Sequence, residues 1–138
     1  MDYDYVPNEP NFYGNKDFQI IAREAFPILI DLATDPVQPT MTYGQLAERV
    51  GRNVDRFSAL RMTKPLGSIW TTLLRYQEKS GIDIPYLTII IVDQDRGLPT
   101  YFRNNLDWSY REIANAQADV YNFQQWIDVR EHTLPNTS

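Results

Sequence analysis

The sequence predicts an α+β domain that is mostly helical, with one β-hairpin and a long C-terminal helix. Three observations support this prediction. Apolar residues recur at spacings of three and four over most of the chain, which is typical of amphipathic helices. Residues 86–92 break that period with a β-branched and aromatic run, which is typical of a buried strand. Hydrophobic residues make up 43% of the 138 residues, which is enough to form a core.

The N-terminal part of the chain is expected to contain an arm followed by a helix. Residues 1–16 are predicted to be irregular, because prolines, a glycine and asparagines interrupt any regular pattern, and their aromatic residues indicate that the arm packs on another surface. The apolar spacing of residues 17–34 predicts a helix, which Pro27 is expected to kink or split. Residues 17–132 are predicted to form one domain, and residues 133–138 are expected to fray.

Recognisable capping residues divide the centre of the chain into helices. Thr42 and Gln45 fit a capping box, and Gly51 supplies a left-handed stop after a short helix. Asn53 is expected to cap a second short helix. Pro65 is expected to begin a third, longer helix, because proline suits the first helical turn.

The second half of the chain is expected to contain the hairpin and the last helix. Residues 86–92 are predicted to pair with residues 98–102 around a turn at residues 94–97. A long helix is then predicted from about Asp107 to His132. Helices followed by a β-hairpin are the layout of a winged helix.

One stretch of the chain resembles a known family. The run Thr42-Tyr43-Gly44-Gln45-Leu46-Ala47, followed by Gly51, is similar to the opening of the DNA-binding winged helix of the alkyltransferase and alkyltransferase-like family. The resemblance covers residues 40–100, where Leu66-Gly67 and residues 85–92 take the places of a small-residue step and an apolar strand. It implies a winged-helix fold and DNA binding. It does not imply alkyl transfer, because the family's Pro-Cys-His-Arg motif is missing.

Charge is distributed unevenly along the chain. The net charge is -5, yet residues 49–80 carry +5, whereas residues 1–48 carry -6 and residues 81–138 carry -4. Clustered positive charge is a necessary feature of nucleic-acid contact and not a sufficient one, since it also fits a solvated helical face. We therefore expect a non-enzymatic DNA-binding or regulatory accessory protein that contacts double-stranded DNA through residues 49–64. The candidate DNA contacts are Arg49, Arg52, Arg56, Arg61 and Lys64.

The alternative function is an acidic protein-interaction module, such as an accessory subunit or an inhibitor of a larger bacterial or phage enzyme complex. The chain contains more aromatic residues than one small core requires, and aromatic side chains are effective interface anchors. Tyr5 and Phe12 in the arm and Tyr110 in the last helix are the candidate contacts. Their partner would be another protein or a second copy of the chain.

Enzymatic chemistry is not expected, and we predict no catalytic residue, no metal and no cofactor. The chain has no cysteine, so no thiolate site can form, and its only histidine, His132, lies among polar residues near the end of the sequence, which favours a surface residue. Asp93 and Asp95 resemble metal-binding carboxylates, but residues 93–97 also fit an ordinary turn. The longest apolar run is too short to span a bilayer, and no signal-peptide pattern opens the sequence, so we expect a cytoplasmic location.

Overall fold

The computed structural model describes residues 10–55 and 57–135. A 3-10 turn, Leu87–Ile90, leads directly into the second of two short strands, and a π-turn, Tyr101–Asn105, precedes the last two helices. The predicted class, mainly helical α+β, is confirmed. The helices and strands, in chain order, are α1 (Asp17–Ala33), β1 (Met41–Thr42), α2 (Tyr43–Arg49), α3 (Ser58–Arg61), α4 (Thr63–Ser80), β2 (Ile91–Val92), α5 (Tyr110–Asn122) and α6 (Trp126–Thr133).

The two strands pair in parallel, with Met41 opposite Ile91. The predicted β-hairpin of residues 86–92 and 98–102 is therefore wrong. The first of these segments forms the 3-10 turn before its last two residues join β2, and the second leads into the π-turn. The family resemblance itself stays a prediction, but the hairpin that it implied is not formed by these residues.

Burial explains why a β-branched run adopts a 3-10 turn. The turn packs against α1, α4 and α5, and its four side chains are buried. Its peptide groups therefore need partners within reach: the Ile89 N–H donates to the Tyr86 carbonyl, and the Gln117 amide on α5 donates to the Ile89 carbonyl at 3.0 Å. The surrounding helices therefore favour the 3-10 turn, although the β-branched side chains by themselves favour a strand.

The turn predicted after the strand is confirmed. The carboxylate of Asp93 makes hydrogen bonds and an ion pair within it. One carboxylate oxygen accepts the N–H groups of Arg96 and Gly97 at 2.6 and 3.0 Å, and the other forms an ion pair with the Arg96 guanidinium at 3.1 Å. Gly97 has a φ of 68°, a conformation that glycine adopts without strain. Asp93 therefore organises a turn.

The described part of the arm packs into the core. Phe12 is fully buried, with its ring 5.3 Å from that of Phe26, and its N–H donates to the Thr72 hydroxyl at 3.0 Å. Arg23 on α1 donates to the Phe12 carbonyl. The expectation that Phe12 anchors a partner is wrong, because its side chain is already enclosed by its own chain. Tyr5 lies outside the described residues.

Two of the four helix boundaries predicted in the centre of the chain are confirmed, and the longer helix α4 begins at Thr63, two residues before the predicted Pro65. The Thr42 hydroxyl accepts the Gln45 N–H at 3.0 Å, and the Gln45 side chain accepts the Thr42 N–H at 2.9 Å, which confirms the capping box. Gly51 ends α2 with a φ of 73°, as expected. Pro27 lies inside α1 and does not split it. Asn53 does not begin a helix, because α3 starts only at Ser58.

The predicted long C-terminal helix is two helices, α5 and α6, separated at residues 123–125. The buried Trp126 indole N–H donates to the Val120 carbonyl at 2.8 Å. In a continuous helix that carbonyl would accept the N–H of Gln124, so satisfying the buried indole favours the break. Thr133 is buried at the end of α6, and the expected fraying does not begin there.

The core is organised around α4. Every residue from Pro65 to Ile69 is buried, and α4 packs against α1, α6 and the 3-10 turn. Among the described residues, no helix combines the length and the apolar character needed to cross a lipid bilayer. The largest fully buried side chains of the core include Trp126, Phe12, Phe26, Leu29, Leu46, Met62 and Ile69.

Replacing Phe12 tests whether the arm belongs to the core. We expect Phe12→Ala to lower the free energy of unfolding by about 3–5 kcal/mol, the usual cost of removing a buried phenylalanine ring. Equilibrium urea unfolding measures the change. Tyr110→Ala is the control, because Tyr110 is 65% exposed and its replacement should change stability by no more than about 0.5 kcal/mol. Equal stability of Phe12→Ala and wild type would contradict the packing described.

Tyr121 on α5 makes the fold sensitive to alkaline pH. Its hydroxyl donates to the Pro39 carbonyl, and burial, with a smaller effect of the Asp35 carboxylate, raises the pKa of Tyr121 from 10.0 to about 12. The unfolded phenol ionises at its ordinary pKa, so this stabilisation is complete below pH 10.0 and is lost as the pH rises to about 12. We expect the free energy of unfolding to fall less steeply over this window in Tyr121→Phe than in wild type. Urea unfolding at several pH values measures both slopes, and equal slopes would show that Tyr121 does not contribute.

Candidate functional site

Two cations of the basic segment meet at the first turn of α1. Arg52 follows the left-handed Gly51 and forms an ion pair with Asp17 at 3.2 Å. The Lys64 ammonium lies 5.7 Å from the centroid of the Phe18 ring. Because Asp17 and Phe18 are neighbours in the chain, they bring Arg52 and Lys64 to the same region of the surface.

Arg61, the last residue of α3, contacts two residues of the loop between α2 and α3. Its guanidinium donates to the Asn53 carbonyl at 2.8 Å and forms an ion pair with Asp55 at 3.1 Å. Arg49, the last residue of α2, is exposed. The structure therefore places the described candidate DNA contacts around one loop, next to the start of α4. Arg56 lies outside the described residues.

Three large apolar side chains are exposed within this same segment: Val54 at 55%, Phe57 at 48% and Leu60 at 73%. Gly44 lets the loop approach α2 closely, since a Cβ atom there would lie 3.2 Å from Val54 Cγ1. Sequence reasoning did not single out these residues, although their spacing of three within a charged segment is a visible signal. We call Val54, Phe57 and Leu60 the apolar triad, and the triad together with Arg49, Arg52, Arg61 and Lys64 the basic apolar face.

A groove of opposite charge lies beside α5 and the loop that follows α4. It is an open depression of about 390 Å³, lined by the carboxylates of Asp83 and Asp119 and by apolar side chains that include Ile84 and Phe123. The Ile84 N–H donates to the Gln77 side chain at 2.7 Å, which holds this loop against α4. We call this surface the acidic groove, and its lining residues are Asp83, Ile84, Pro85, Tyr86, Ala116, Asp119, Asn122 and Phe123.

The remaining candidate residues lie apart from these two surfaces. Tyr110 is 65% exposed at the start of α5, with the Arg103 guanidinium 5.1 Å from its ring centroid. His132 is exposed on α6, where its ring stacks on Tyr76 at 6.0 Å between centroids. Within residues 10–55 and 57–135, no three side chains of the metal-binding types come together in a way that could hold a metal ion.

The arrangement of the basic apolar face suits contact with a protein. A contiguous exposed apolar patch with a polar rim is typical of a protein-interaction site, and Phe57 and Leu60, three residues apart at α3, lie on one face of that helix. Two of its cations, Arg52 and Arg61, are paired with carboxylates of their own chain, which lowers the positive charge available to a phosphate backbone. The first half of α4 is buried, so it is not available as a recognition helix in a DNA groove.

The exposure of the apolar triad is itself testable. We expect Leu60→Ser to change the free energy of unfolding by no more than about 0.5 kcal/mol, because the side chain has little contact to lose. Leu66→Ser is the matched control: Leu66 is buried, and its replacement should cost about 2 kcal/mol or more. Urea unfolding of both variants measures the difference. A large loss of stability in Leu60→Ser would show that this side chain is part of the core.

Comparison with known proteins gives no relative from which to transfer a function. The chain matches no protein-family model, and no curated protein or solved structure is significantly similar to it.

Proposed function

We propose that this chain is a non-enzymatic protein-docking module whose basic apolar face binds an acidic, apolar segment of a partner protein. The observation that carries the proposal is the exposure of Val54, Phe57 and Leu60 among cations. Removing apolar surface from water favours association, and only the part of this free energy that exceeds the entropy lost on binding contributes to affinity. Arg49 and Lys64, which make no ion pair with a described residue, would select a partner that carries negative charge.

The ion pairs within the face support a preorganised surface. Arg61 is held by Asp55 and loses less conformational freedom when a partner arrives, whereas Asp17 is 82% exposed and restrains Arg52 less. Arg61 also holds the carbonyl of Asn53, which fixes the loop that carries Val54. A loop that is already ordered contributes more of its contact energy to affinity.

The charge of the whole chain limits how a partner is attracted. The net charge of -5 repels an acidic molecule at long range, and the basic apolar face attracts it only at short range. Contact between apolar surfaces therefore supplies most of the affinity, and the cations supply selectivity. Binding should weaken with salt only modestly.

DNA binding is the second candidate function, and one observation favours it. Arg49 and Lys64 are exposed and make no ion pair with any residue that the structure describes. If both contacted phosphates, the logarithm of the DNA association constant would fall against the logarithm of the salt concentration with a slope of about -2. The apolar triad would gain nothing from such a contact.

Peptide display tests the docking function. We expect random displayed peptides selected on the wild-type chain to be rich in acidic and large apolar residues. Their affinity, measured by fluorescence anisotropy, should fall about thirtyfold in Leu60→Ser, because truncating a central apolar anchor costs about 2 kcal/mol or more. Lys64→Glu should also weaken binding, through repulsion of the acidic peptide.

The controls separate docking from general stickiness and from DNA binding. Ile127 is an exposed apolar residue on α6, so Ile127→Ser should leave peptide affinity unchanged. Selected peptides without acidic residues, or peptides indifferent to Leu60→Ser, would count against the proposal. A gel shift with duplex DNA at two salt concentrations tests DNA binding. Binding that is lost in Lys64→Glu and unaffected in Leu60→Ser would favour DNA as the ligand.

A further inference from the structure

We propose that the basic apolar face docks into the acidic groove of a second copy of this chain, so that copies associate head to tail. This inference rests on the docking function proposed above and names the partner of the same face. Two surfaces of opposite charge, each with apolar side chains at its centre, carry it.

The acidic groove has the chemistry that the face requires. The carboxylates of Asp83 and Asp119 make no ion pair within the described part of the chain, so their charges are available to a partner's cations. Ile84 and Phe123 provide apolar walls between them. A volume of about 390 Å³ is within the range of about 300–1,000 Å³ that is typical of binding pockets.

The length of α4 prevents a face from reaching the groove of its own chain. Lys64 lies in the first turn of α4, whereas Ile84 is hydrogen-bonded to Gln77, thirteen residues further along. At 1.5 Å per residue, Lys64 and Gln77 are separated by about 20 Å along the axis of α4. A lysine or leucine side chain cannot span that distance, so the face and the groove of one chain cannot meet each other and both are open to a second copy.

The charges of the chain agree with association between copies. Residues 49–64, which contain the whole face, carry a net charge of +4, and residues 81–138, which contain the groove, carry -4. In the complex, Leu60 lies between the groove's Ile84 and Phe123. Lys64 then meets the carboxylates of Asp83 and Asp119.

The head-to-tail arrangement sets the type of assembly. When the second copy does not dock back onto the first, the contact is heterologous and leaves one free face and one free groove in every dimer, whereas a reciprocal two-fold dimer would leave neither. Association therefore continues to longer chains or closes into a ring. The seven residues of the face and the eight of the groove are fewer than the roughly 20–30 residues that each side of a standard interface contributes, so association is weak, rises with protein concentration and falls modestly with salt.

Sedimentation velocity of the intact chain over a wide concentration range tests this inference. We expect the weight-average sedimentation coefficient of wild type to rise beyond that of a dimer at low salt. Lys64→Glu and Asp119→Lys should each lower the association constant at least about tenfold, because each places like charges opposite one another. Leu60→Ser should have a similar effect through loss of the apolar contact.

Combining the two reversals makes the test specific. The double variant Lys64→Glu with Asp119→Lys reverses both charges and should regain association. A mixture of the two single variants should also regain association beyond a heterodimer, since the wild-type charge pair and the reversed charge pair can both form between unlike variants. Arg111→Glu and Asp128→Lys are matched controls that change the net charge equally at exposed sites outside both surfaces, and they should associate like wild type.

Failure of this inference is distinguishable from failure of the docking function. Head-to-tail docking would be overturned if the wild-type chain stayed monomeric at every concentration or stopped at a dimer. It would also be overturned if neither Lys64→Glu nor Asp119→Lys changed the association constant. If selected acidic peptides still bound to the face in a Leu60-dependent way, the docking function would stand with a different partner. If they did not, both proposals would fall.

Discussion

The burial of α4 is the constraint on which the rest of the structure depends. Its first half is enclosed on nearly all sides, with α1, α6 and the 3-10 turn packed around it. Elements that surround a buried helix must satisfy their own backbone groups. This explains why the β-branched run before β2 folds into a 3-10 turn, and why the described part of the arm fills space beside Phe26 and Thr72.

The same constraint creates the basic apolar face. The chain between α2 and α4 has to reach the start of the buried helix, and it does so through a loop held by Arg61 and a four-residue helix, α3. Met62 and Leu66 turn inward from this segment, which leaves Phe57 and Leu60 on the outer side. Exposed apolar surface next to arginines is therefore a by-product of how the loop meets the core, and this surface is available for binding.

The proposed function depends on the balance between charge and apolar contact. A basic segment in an acidic chain is compatible with phosphate contact, but the ion pairs of Arg52 and Arg61 already use part of its charge. Burying Leu60 is favourable only against an apolar surface, and a phosphate backbone is charged and polar. The acidic groove provides carboxylates and apolar walls together, which is why a second copy of the chain satisfies both requirements of the face.

The sequence alone determined the features that depend on neighbours in the chain. Thr42 with Gln45, the stop at Gly51 and the turn at Asp93 need only local backbone geometry, and all three formed as predicted. The mainly helical class also followed from apolar periodicity. The tertiary structure decided what depends on distant partners: the parallel pairing of Met41 with Ile91, the break before Trp126, the burial of Phe12 and the exposure of the apolar triad. Apolar spacing identifies a face, but only the packed chain determines whether that face meets the core or the solvent.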